Sequence, residues 1–159
     1  MGRDLGNARR AGPPVSGPRV SIVVPCWNAG QFLPGLFESL AAPSFRDFET
    51  IVVDDGSTEL ETLDALAALP AGVNLIRQEN RGLPGARNTG FRAARGDYVL
   101  PLDCDDRLMP EFLAQGVARL DAEPTLDFTF SHMQLVGART GVLKRGFNRF
   151  DQLFLNQLP

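Results

Sequence analysis

Four short apolar runs constrain this chain more than any other feature. Val20-Ser-Ile-Val-Val24 is rich in β-branched residues and is stopped by Pro25. Phe48-Glu-Thr-Ile-Val-Val53, Val73-Asn-Leu-Ile76 and Tyr98-Val-Leu-Pro-Leu102 follow it. Continuous rather than alternating hydrophobicity marks strands buried on both faces, as in a parallel sheet. Parallel neighbours need crossover connections, usually helical, and the intervening segments have helical patterning. Phe32, Leu33, Leu36, Phe37 and Leu40 make an apolar stripe. Thr58-x-x-Glu61 reads as a capping box ahead of Leu60, Leu63, Leu66 and Leu69. Pro84 suits the first turn of a helix running to about Ala94, with Gly96 as its C-cap. Pro110 opens a further helix through Phe112, Leu113, Val117 and Leu120, which Pro124 ends. The order predicts an α/β fold, a doubly wound, mainly parallel sheet with helices on both faces.

The rest of the chain bounds the reading. With 159 residues and roughly 150 per domain, one domain is expected, over residues 19–159. Residues 1–18, rich in Gly, Pro and Arg without periodicity, are expected to form a disordered leader. That leader has no apolar core of a secretory signal. No apolar run reaches the ~18 residues of a membrane span. A net charge of −3 gives no electrostatic basis for wrapping nucleic acid. Two cysteines are too few for a disulfide framework, so the expected setting is cytoplasmic, with peripheral membrane association left open. Past Pro124, Leu126, Phe128 and Phe130 alternate as in a half-exposed strand, with His132 on the same face as a structural residue. A turn over 137–141 and a returning strand Val142-Leu-Lys144 follow. A last amphipathic stretch (Phe147, Phe150, Leu153, Phe154) leaves an apolar end open to self-association.

Candidate chemistry gathers where the runs end. The four deliver Pro25-Cys-Trp-Asn28, Asp54-Asp-Gly-Ser57, Gln78-Glu-Asn80 and Asp103-Cys-Asp-Asp106. In open α/β sheets, ligands bind outside the carboxyl ends of the strands. A strand order of 3-2-1-4 sets Trp27 and Asp103 on either side of a crevice. Asp103, Asp105 and Asp106 repel one another: a like-charge pair at 4 Å costs about 1 kcal/mol in water and roughly 4 at an effective dielectric of 20. A divalent cation removes that cost, and oxygen-only ligands select Mg²⁺ or Mn²⁺ over zinc. The competing reading is a solvated acidic loop capping the next helix. Asp54 and Asp55 fit an ordinary turn as well as a site accepting from a base or ribose. Trp27, the only tryptophan, is either a stacking platform for a nucleobase or a lid on the core. The Gly-rich Arg81-Gly-Leu-Pro-Gly-Ala-Arg-Asn88 leads into a helix where phosphate can sit, but it lacks the Gly-Lys-Ser/Thr of a P-loop. Cys26 and Cys104 can approach across neighbouring strands and read as small packing residues.

These segments, together with Glu79-Asn-Arg-Gly-Leu-Pro-Gly-Ala-Arg-Asn-Thr-Gly90, resemble the family 2 glycosyltransferases of the GT-A fold, in order and spacing, over about residues 19–135. The resemblance implies a metal-dependent, inverting enzyme that transfers a sugar from a nucleotide diphosphate sugar, typically a UDP-sugar, to a carbohydrate or lipid-linked acceptor. It implies nucleotide-binding roles for Pro25, Trp27, Asn28, Asp54, Asp55, Arg87 and Asp103. Within that set, Pro25 and Trp27 line the base pocket, Trp27 standing where the family usually has Tyr or Phe. Asp55 reads the base, and Asp103 contacts ribose or metal. Asp105 holds the Mn²⁺ or Mg²⁺ that bridges the diphosphate, with Asp106 as helper. The family's general base lies in a later acidic motif that nothing after Asp106 matches. The expectation is therefore a chain truncated at its C-terminus, with the base beyond residue 159 and this form inactive. One alternative is a non-catalytic nucleotide-sugar-binding module of the same fold. Another is a phosphate-accepting receiver domain, disfavoured because the first strand ends in Pro25-Cys-Trp-Asn28 and the only lysine is Lys144.

Overall fold

The computed structural model describes residues 17–42, 45–136 and 140–143. The chain divides into two units, residues 1–115 and 116–159. In the first, β1 (Val20–Cys26), β2 (Phe48–Asp54), β3 (Asn74–Arg77) and β4 (Tyr98–Pro101) form one parallel sheet in the order β3-β2-β1-β4. The helices between them are α1 (Leu33–Ala41), entered through a 3-10 turn at Gly30–Phe32, then α2 (Leu60–Ala67) and α3 (Gly82–Ala93). α4 (Phe112–Ala122) follows β4.

The core lies along the two central strands. Val20, Ile22, Val23, Val24 and Cys26 of β1 and Ile51, Val52 and Val53 of β2 are all buried. Because successive side chains alternate sides, this requires cover on both faces of the sheet. On one face α3 seats Ala86 against Val23, Ile51 and Val53. It approaches so closely at Gly90 that a Cβ there would overlap Val23 Cγ1. Ile22, Val24 and Val52 project to the opposite face and are also buried, as are Leu33, Leu36 and Leu40 of α1 and Leu66 of α2. β3 and β4 are less buried than the continuous runs suggested, because they form the two edges of this sheet.

Three local expectations are corrected. Thr58 and Glu61 make no capping box: α2 starts one residue after Glu59, without a side-chain cap from that residue. Instead Asn28 reaches across from the first loop, and its Oδ1 accepts from the N–H groups of Thr58 (2.8 Å) and Glu59 (3.1 Å). The buried face of α2 is Thr62 and Leu66, while Leu60 is exposed. Gly96 does not cap α3, whose C-cap is Ala94. It passes against β1, donating its N–H to Ser21 Oγ at 2.8 Å, and a Cβ would lie 2.6 Å from the Ser21 nitrogen.

In the second unit the segment Leu126–Phe130 is not a strand. Phe128 and Phe130 are half-exposed, their rings 6.5 Å apart and tilted. The antiparallel pair is β5 (Met133–Leu135) with β6 (Gly141–Leu143), so His132 precedes the strand rather than lying in it. Residues 1–16, most of the expected turn over 137–141, and the amphipathic stretch 147–154 lie outside the described residues.

Candidate functional site

The carboxyl ends of β1, β2 and β4 and the start of α3 enclose a cleft of about 420 Å³, within the size range of small-molecule sites. Pro25, Cys26, Trp27 and Ala29 line it from the first strand end, Asp55 from the second, and Asp103, Cys104 and Asp105 from the fourth. Asn80, Gly82, Leu83 and Ala86 complete the wall. Hydrogen bonding continues past the strands on both sides of β1. Asp55 N–H donates to the Cys26 carbonyl (2.9 Å) and Leu102 N–H to the Val23 carbonyl (3.0 Å). The cleft walls are thus extensions of the sheet rather than free loops.

Asp55 is 3% exposed. Its Oδ1 accepts from Gln78 Nε2 (2.6 Å) and from the Arg81 N–H (2.9 Å). Gln78 is oriented in turn by Thr89 Oγ1, which donates to its Oε1. Gln78 and Thr89 carried no expectation as individual residues. The only sequence signal was that Gln78 lies at a strand tip. Asp54 points elsewhere: its Oδ1 accepts from the Ser57 N–H (2.9 Å), closing the Asp54–Ser57 turn, and it does not line the cleft. Trp27 stands on the rim, 56% exposed. Beside it Asn28 takes the left-handed conformation (φ 47°), which asparagine tolerates better than most residues. Its N–H donates to Ser57 Oγ at 3.1 Å. Asn28 is therefore a clamp between the first two strand ends and lies behind the cleft wall.

The fourth strand end carries the charge. Asp103 Oδ1 accepts from Arg87 Nη2 at 2.6 Å, so Arg87 lies behind the acidic loop and outside the lining. Arg87 Nε is buried with no hydrogen-bond partner among the described residues. Asp105 is exposed and lines the cleft, whereas Asp106 does not. Partial desolvation, then the charges of Asp105 and Asp103, hold the Asp106 carboxyl above its ordinary value. Uncompensated negative charge thus remains at this strand tip. Among the described residues, no three His, Cys, Asp or Glu side chains converge to hold a metal. Mg²⁺ and Mn²⁺ in phosphate sites commonly take only one or two protein carboxylates and complete their shells with water and substrate oxygens. Asp103 and Asp105 fit that donor set; a closed cage of three aspartates does not. Cys26 and Cys104 both line the cleft; interaction with the neighbouring thiol lowers the proton affinity of Cys26 and, with burial, raises that of Cys104.

This arrangement can be compared with known proteins. The model of glycosyl transferase family 2 matches residues 21–152. The chain belongs to glycosyl transferase family 2. It is 37% identical over 112 residues to an uncharacterized glycosyltransferase of Haemophilus influenzae, covering 70% of this chain and 37% of that one. S. aureus TarS (residues 1–349) in complex with UDP-GlcNAc has a similar structure, with a TM-score of 0.58 and 34% identity, covering 65% of this chain and 31% of that chain. The mannosyltransferase PcManGT from Pyrobaculum calidifontis, in complex with GDP-Man and Mn²⁺, gives 0.59 and 30% identity, covering 71% and 35%. The sheet is that of the GT-A glycosyltransferases. This family 2 chain spans 31–37% of the length of the three relatives. Among its described residues, no helix is long and apolar enough to cross a membrane.

Proposed function

We propose that the cleft is the donor site of a metal-dependent, inverting glycosyltransferase, and that its donor is a UDP-sugar. The observation that carries this is the meeting of Trp27, Asp55, Asp103 and Asp105 on one cleft at the carboxyl end of the sheet. TarS has been seen with UDP-GlcNAc and PcManGT with GDP-Man and Mn²⁺, which supports a nucleotide sugar and a divalent ion here.

In this reading the Trp27 indole and Pro25 hold the base between them. Asp55, held in orientation by Gln78 and the Arg81 N–H, accepts from the base N–H. Asp103 receives the ribose hydroxyls or shares the cation with Asp105, while Arg87 fixes its orientation. When bound, Mn²⁺ or Mg²⁺ supplies positive charge that stabilises the departing diphosphate. The chain's own contribution is to orient the donor, so that an acceptor hydroxyl attacks the anomeric carbon from the face opposite the leaving group. No acid among the described residues is assigned as the general base. A carbohydrate or lipid-linked acceptor belongs to the same proposal.

A thermal-shift panel of UDP, GDP and TDP, each with Mn²⁺, tests it. The expected result is a rise in melting temperature for UDP that disappears on chelation. No shift with any nucleotide would overturn the donor-site reading; a shift with GDP alone would replace the base.

A further inference from the structure

Asp55 lines the cleft with one oxygen left for a ligand. Its Oδ1 already accepts from Gln78 Nε2 (2.6 Å) and the Arg81 N–H (2.9 Å), and a carboxylate oxygen has about two acceptor sites. Among the described residues nothing donates to Oδ2. Which end of the Gln78 amide meets Asp55 is decided one residue further back. Thr89 Oγ1 donates to Gln78 Oε1. An amide has one accepting and one donating end, so the Nε2 end is left for Asp55. The backbone of Gln78 is fixed as well: its N–H donates to the Asp54 carbonyl at 3.0 Å, continuing the β2–β3 ladder. Thr89 lies on α3, and neither Gln78 nor Thr89 lines the cleft. The row Thr89, Gln78, Asp55 thus runs from a helix through a strand end to the cleft wall.

We propose that Gln78 and Thr89 are positioning residues that make Asp55 select a nucleobase carrying a ring N–H, uracil rather than cytosine. This rests on the donor-site reading above. With Oδ1 filled, the ligand contact falls on Oδ2, which takes a donor. Uracil offers its N3–H there. Cytosine is nearly the same size, but its N3 is a lone pair, which sets an acceptor against the buried carboxylate. A site built to receive an N–H rejects the analogue that lacks it, because its own polar group is then left unpaired. Removing the Gln78 donor frees Oδ1, and the carboxylate then turns without that restraint. Removing the Thr89 hydroxyl acts one step further back, since the Gln78 amide is then free to present either end to Asp55.

Calorimetric titration of UDP and CDP, each with Mn²⁺, into the full chain tests this. The wild type is expected to bind UDP about tenfold more tightly than CDP, the loss that an unpaired buried acceptor brings. Gln78→Met keeps the length of the side chain without its donor, and Thr89→Val keeps the shape without the hydroxyl. Both are expected to weaken UDP, leave CDP unchanged and bring the two affinities together. Thr89→Ser, which retains the hydroxyl, is expected to restore the preference. If Gln78→Met does not fold, the two Thr89 variants carry the test. The inference is overturned by a folded Thr89→Val that keeps the wild-type preference or loses both nucleotides alike. It is also overturned by a wild type that binds CDP as tightly as UDP, a result that leaves the donor site standing. A wild type that binds neither overturns the uridine-donor reading and this inference with it.

Discussion

At Asp55 a buried carboxylate is held by two donors on one oxygen, so its direction is fixed before any ligand arrives. Prior orientation of this kind reduces what binding must spend on ordering side chains. Trp27 contributes differently: its indole is exposed on the rim, where a stacked base would remove apolar area from water. Trp27→Ala is expected to weaken UDP binding by about 1–3 kcal/mol, the range for base–aromatic stacking. Calorimetry checks this, because the variant has no tryptophan left to report by fluorescence. An unchanged affinity would remove the indole from the base pocket. These two residues were readable in the sequence because each stands at a strand end. Asn28 and Asp54 stand there as well, yet Asn28 turns to the backbone of the neighbouring loop and Asp54 to the Ser57 N–H of its own turn. For Asn28 the partners, Thr58 and Glu59, are distant in sequence, a relation that motif spacing does not contain.

Among the elements, the start of α2 depends on a residue 30 positions upstream. Asn28→Ala removes the acceptor of two N–H groups and leaves an alanine in left-handed backbone. Loss of such a cap costs about 0.5–2 kcal/mol, and the backbone strain adds to it. Urea unfolding is expected to show a lower midpoint with an unchanged slope; wild-type stability would mean that water replaces the cap without cost. At the other end of the sheet, Ser21 Oγ donates to Glu49 Oε1 (2.7 Å) and accepts from Arg95 N–H and Gly96 N–H. The Arg95 guanidinium donates to Glu49 Oε2 through Nε and Nη2. Burial pushes the Glu49 carboxyl up, but the hydrogen bonds from Arg95 and Ser21 and the Arg95 charge outweigh it and hold it below its ordinary value of 4.5. A lowered folded value means that the unfolded chain binds the proton more readily. The contribution is therefore complete above pH 4.5 and is lost as pH falls through the folded value. Glu49→Gln is expected to lower stability at pH 7 and to flatten the stability–pH curve below pH 4.5. A variant curve parallel to that of the wild type would assign the acid sensitivity elsewhere. The central strands were legible because β1 and β2 are apolar on both faces. That β3 and β4 are edges follows from strand order, which their own composition does not reveal.

For the molecule as a whole, the crossovers bring three strand ends and the start of α3 to one side, and the cleft results from that topology. The acidic loop was legible as a cluster, but its division of labour was not. Arg87 pairs with Asp103 from behind, Asp105 faces the cleft, and Asp106 lies off the wall. Spacing of three aspartates in four residues does not distinguish these positions. The central claim is that this ledge of strand ends grips a nucleotide diphosphate through a cation at Asp105. Calorimetric titration of UDP into the wild type and Asp105→Asn, each with and without Mn²⁺, tests it most directly. The account predicts that Mn²⁺ tightens UDP binding to the wild type at least tenfold and leaves the folded variant unaffected, which corresponds to about 1.4 kcal/mol. Equal Mn²⁺ enhancement in both proteins would contradict it.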